Sequence, residues 1–235
     1  MSFIIWLIVI IALIVVAGLV WRFVGGVLGL VLPLLVTVLL LVGVVWLFMD
    51  VNDLRQHFYQ DEKLFLLDID GTLSGAFRMD DDGIPRPVMD LDQLRNDYPD
   101  LAAVQGDAYK VLVLTWPVVA KDIELANLKA TKQEIKTALL SERPKQLVID
   151  KAVKLYGEHA LGQIKLQIDN EYPSHDAFRS TVFVLLTSDA LMNPNIITRG
   201  MKQGTVIIYP ETVTFKLMKA LPEGMTNWLL PQPAS

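Results

Sequence analysis

Along this chain the apolar and polar positions fall into two regimes. From Phe3 to Val20, and again from Val24 to Met49, the residues are almost all Ile, Leu, Val, Ala and Gly, and none is charged. Each run is long enough to cross a hydrocarbon core, which takes roughly 20 apolar residues in a helix. After Met49 polar residues return, and apolar ones come in short runs or at helical spacing. Leu64–Ile69, Val111–Thr115, Ile164–Ile168 and Val182–Leu186 read as strands, Val206–Tyr209 as a further one, and Gln146–Ile149 as a short candidate. Met89–Asn96, Ala120–Leu140, Lys151–Leu161 and Glu211–Leu221 have the spacing of helices, and Pro144 follows the end of the second. Strand and helix alternate, which predicts an α/β domain with a mainly parallel sheet.

The same pattern divides the chain. Residues 1–50 read as a transmembrane helical hairpin, 51–63 as a polar juxtamembrane linker, 64–225 as the α/β domain, and 226–235 as a loose tail. Trp6, Trp21 and Trp46 fall near the ends of the spans, where indole rings favour the membrane interface. Gly25, Gly26 and Gly29 suit a tight turn and close helix contact, and Pro33 predicts a kink in the second helix. A cleaved signal peptide would carry a basic start and a shorter apolar core; here no Lys or Arg precedes the first run, and a second span follows at once. The turn carries one cation, Arg22, whereas the other side carries the amino terminus, Arg55 and Lys63. The positive-inside bias then places both termini and the large domain in the cytoplasm, on an inner or plasma membrane. Neither span contains an ionisable residue, so the hairpin reads as an anchor that packs on a membrane-protein partner, not as an ion path.

Composition narrows the function. Hydrophobic residues make up 52% of the 235, and this excess sits in the first 49, so the remainder is an ordinary charged globular sequence. The net charge of -5, without a block of five like charges, gives no support to nucleic-acid binding. The absence of cysteine excludes disulfides, thiolate metal sites and cysteine nucleophiles. Glycine-rich phosphate loops and a serine nucleophile elbow are missing, and His57, His159 and His175 have no ligand-like spacing.

The candidate chemistry gathers at Asp68-Ile69-Asp70-Gly71-Thr72-Leu73, two carboxylates where a buried strand runs into a Gly-Thr turn. In parallel α/β sheets, ligands bind beyond the carboxyl ends of the strands. Asp68, Thr115 and Asp169 each close a predicted strand, so three distant polar residues are expected to meet at one edge.

These residues resemble the haloacid dehalogenase superfamily of phosphotransferases over about residues 64–190. The family's first motif, Asp-x-Asp-Gly-Thr-Leu after a strand, is matched by Asp68 to Leu73. The resemblance implies that Asp68 attacks phosphorus to form an aspartyl-phosphate, and that Asp70 protonates the leaving group and then activates water. A carboxylate nucleophile divides one hard displacement into two easier ones, and a second carboxyl can serve as acid and base when its pKa is raised. The second motif, an apolar strand ending in a hydroxyl that holds phosphoryl oxygens, is matched by Val111 to Thr115, with Trp116-Pro117 where many members have Gly. The third is a Lys, here Lys145 or Lys151. The fourth supplies acids for Mg²⁺, here Asp169 and Asp176, although Ile168 stands where Gly is usual. The implied metal set is Asp68, Asp70, Asp169 and Asp176, and the implied fold is three-layered. Short gaps between motifs imply a capless site, open to a large or membrane-bound phosphoester.

Two alternatives stand beside this. Asp-Gly between apolar stretches is also a strong hairpin signal, which would make Leu66 to Phe77 a β-hairpin and the carboxylates turn residues. The domain could equally be a non-catalytic accessory subunit of a membrane complex, with a degenerate site kept as a scaffold.

Overall fold

The computed structural model describes residues 10–11, 13–18, 28–126, 128–192 and 194–221. The chain divides into two units, Met1–Asn52 and Asp53–Ser235. In the first, residues 10–11 and 13–18 are helical. Helix α1 (Leu28–Gln60) then runs through the rest of it and into the second unit. Its stretch Leu32–Phe58 is long and apolar enough to cross a membrane. Leu34, Leu39, Trp46 and Phe48 are all exposed on it, as expected of a helix that is hydrophobic all round. Most of the first expected span, the turn at Gly25 and Gly26, and the tail 226–235 lie outside the described residues.

Residues 51–60 of the expected linker are helical. They continue α1, and Leu54 is buried within the second unit. The Tyr109 hydroxyl donates to Asp53 Oδ2 at 2.7 Å, which fastens this end of the helix to the domain.

Among the described residues the domain has seven strands: β1 (Lys63–Ile69), β2 (Thr72–Met79), β3 (Pro85–Pro87), β4 (Lys110–Thr115), β5 (Ile123–Leu125), β6 (Leu128–Ala130) and β7 (Val206–Tyr209). Five of them form one sheet in the order β3-β2-β1-β4-β7, while β5 and β6 form a separate antiparallel ribbon. The expected mainly parallel sheet is mixed instead. Only β1 and β4 are parallel; β1/β2, β2/β3 and β4/β7 are antiparallel. The reason is local. A parallel neighbour needs a crossover of a dozen or more residues, whereas Asp70-Gly71 joins β1 to β2 in two. Both turn residues have positive φ, 54° at Asp70 and 83° at Gly71. That is the backbone of a tight hairpin turn whose twist matches its strands. Leu66 to Phe77 therefore forms a β-hairpin with Asp70 in its turn, while Asp68 stays within β1.

The helices of the domain are α2 (Asp92–Asp97), α3 (Leu101–Gln105), α4 (Trp116–Val119), α5 (Lys132–Leu140), α6 (Gln146–Tyr156), α7 (Leu161–Glu171), α8 (His175–Met192), α9 (Pro194–Gln203) and α10 (Val213–Ala220). They cover both sheet faces. On one, Leu64, Leu66, Val111 and Val113 pack with Leu91, Val104 and Ala108 from the region of α2 and α3. On the other, Phe65 stacks on Phe77 with ring centroids 4.6 Å apart, and Phe77 meets Phe183 of α8 at 5.0 Å. Gly75 lets α8 approach, since a Cβ there would lie 3.1 Å from both the Arg179 carbonyl oxygen and Phe183 Cβ.

Four expected elements change type. Ile164–Ile168 is helical, within α7; Ile164 and Ile168 are four apart and share a face, and Ile168 is buried while Leu166 is exposed. Val182–Leu186 lies within α8, where Phe178, Val182 and Leu186 recur at helical spacing and are all buried. Gln146–Ile149 is the first turn of α6 rather than a strand. The long helix expected over Ala120–Leu140 begins only at Lys132. There Thr131 and Glu134 form a capping box, and the preceding residues pair as β5 and β6.

Candidate functional site

Asp68 and Thr115 are neighbours across the parallel β1/β4 pair, each at the carboxyl end of its strand. The sequence expectation holds for these two. The Asp68 carboxylate is held on both sides: Oδ1 accepts the Gly71 amide at 2.7 Å, and Oδ2 accepts the Tyr98 hydroxyl. Burial, followed by this hydrogen bond to the carboxylate, pushes the Tyr98 phenol above its ordinary pKa, so it donates at every physiological pH. The Thr115 hydroxyl donates to the Thr205 carbonyl oxygen at 3.0 Å, and the Thr115 amide donates to the same oxygen at the same distance. One hydroxyl has one proton to give, so that proton serves the junction between β4 and the turn before β7.

Asp70 occupies the turn itself. Its side chain is 68% exposed and pairs with Lys136 of α5 at 2.9 Å. Lys136, not Lys145 or Lys151, is the lysine beside the motif. Lys145 is buried at the start of α6 and pairs with Asp169 of α7 at 2.8 Å. The hydrogen bond from Lys145 holds Asp169 below the usual carboxylate range. Because Ile164–Ile168 is helical, Asp169 does not close a strand, and it ties α6 to α7 instead. Lys151 pairs with Glu134 at 2.8 Å; this hydrogen bond, with those from Thr131, lowers the Glu134 carboxyl to about 2.

Asp176, in the first turn of α8, is the hub of a different network. Its Oδ1 accepts from Arg95 at 2.5 Å and from Arg179 at 2.7 Å, and its Oδ2 accepts from Arg95 and from the Leu91 amide, both at 3.1 Å. Burial pushes this carboxyl up, but the hydrogen bonds from Arg95, the Leu91 amide and Arg179 prevail and hold it low. Arg179 also donates to the carbonyl oxygens of Leu139 and Ser141, so α8, α2 and the end of α5 meet at one ionic joint.

Among the described residues, the set of three carboxylates whose oxygens lie within 4.8 Å of one another is Asp90, Asp92 and Asp176, close enough to hold a metal ion. It is not the expected set of Asp68, Asp70, Asp169 and Asp176, of which only Asp176 belongs to it. Mg²⁺ is held by a few carboxylate oxygens that complete an octahedron with waters. Asp68 and Asp176 have both oxygens engaged by donors, and two guanidinium groups already neutralise Asp176.

Sequence reasoning missed Tyr98, Lys136, Thr205, Arg95 and Arg179. Nothing in the local pattern points to Tyr98 or Thr205, which sit 30 and 90 residues from the groups they hold. Arg95 carried a faint signal, a cation three residues after Asp92 on a short helix.

No protein-family model, curated protein or solved structure matches this chain.

Proposed function

We propose that this protein is a membrane-anchored, non-catalytic accessory subunit, whose α/β domain is a docking module and whose Asp-x-Asp-Gly-Thr stretch is part of its framework. The observation that carries this is the state of Asp68 and Thr115. The carboxylate that would attack phosphorus is clamped by Gly71 and Tyr98, and the hydroxyl that would hold phosphoryl oxygens gives its proton to Thr205. Polar groups satisfied in this way stiffen a fold. The anchor in this proposal is the two-span hairpin, with α1 as its second helix and the domain on the cytoplasmic side of an inner or plasma membrane.

A second reading, a capless phosphatase of the haloacid dehalogenase type acting on a large or membrane-bound phosphoester, is favoured by one observation. Asp68 and Thr115 stand side by side at the ends of two parallel strands, with a lysine-paired Asp70 in the adjoining turn.

One assay separates the two. The full chain in nanodiscs is offered an aryl phosphate with Mg²⁺, with Asp68→Asn as control. The accessory reading expects equal, background release of phosphate from both proteins. Mg²⁺-dependent turnover by the wild type that disappears in Asp68→Asn overturns it in favour of the phosphatase.

A further inference from the structure

We draw no further inference here: the strongest candidate, the cleft between α6, α7 and the β5–β6 ribbon, has apolar walls at Leu128, Val148, Ala152 and Ile168 that are already buried, and nothing in the structure shows what covers it.

Discussion

The Tyr98 hydroxyl donates a hydrogen bond to Asp68 Oδ2 across 30 residues of sequence, from the residue after α2 to the end of the central strand β1. This bond and the Gly71 amide fix the carboxylate in place. Tyr98→Phe leaves Oδ2 without that donor in a half-buried position. The expected cost is about 1–3 kcal/mol, the usual penalty for an orphaned buried acceptor. Chemical denaturation of the full chain in detergent measures it, and an unchanged midpoint would show that the bond does not support the fold.

The same phenol predicts an alkaline limit. Its folded pKa is raised above its unfolded value, so its contribution is complete below about pH 10 and is lost as pH rises beyond that. Unfolding midpoints between pH 9 and 11 are expected to fall more steeply for the wild type than for Tyr98→Phe.

The Asp176 joint predicts an acid limit of opposite sign. Its folded pKa is depressed, so its contribution is present above the unfolded value near about 4 and disappears as pH falls below it. Asp176→Ala leaves Arg95 and Arg179 facing each other without their acceptor. A loss of about 3 kcal/mol is expected, the lower end for breaking a buried pair, with a flatter stability profile between pH 5 and about 3.

Backbone conformation makes the turn specific. At Gly71, with φ of 83°, a β-branched residue meets the left-handed penalty, so Gly71→Val is expected to cost about 1–2 kcal/mol or more. Asp70→Asn is expected to leave stability nearly unchanged, because Asn tolerates the same conformation and Asp70 is exposed. Equal midpoints for Gly71→Val and wild type would contradict the hairpin geometry.

The membrane role of α1 is open to a direct measurement. In a chain starting at Leu28, Val38→Arg with Leu41→Arg adds roughly 2.5–3.5 kcal/mol per substitution to insertion. The variant is expected in the carbonate-soluble fraction and its parent in the membrane pellet. Identical fractionation would argue against α1 as a span.

Much of this molecule is legible in its sequence, because the physics involved is local. An unbroken apolar run can only be satisfied by lipid or a large core, so the run that ends at Met49, within the helix Leu32–Phe58, declares itself. Buried runs ending in polar residues mark β1 and β4, and Asp-Gly between apolar segments marks the turn. Other parts depended on what lay across the fold. Ile164-Lys165-Leu166-Gln167-Ile168 satisfies both a period of two and a spacing of four, and only its neighbours decide that Ile168 turns inward as part of a helix while Leu166 faces water. That choice moves Asp169 away from the strand edge and onto Lys145. The sequence by itself determined that Asp68 and Asp70 stand where a buried strand runs into a turn. Only the tertiary structure decided their distant partners, Tyr98 and Lys136. Hydrogen bonds between residues 30 or more positions apart, such as Tyr98 to Asp68, leave no periodicity in the chain, and they form only once packing has brought the groups together.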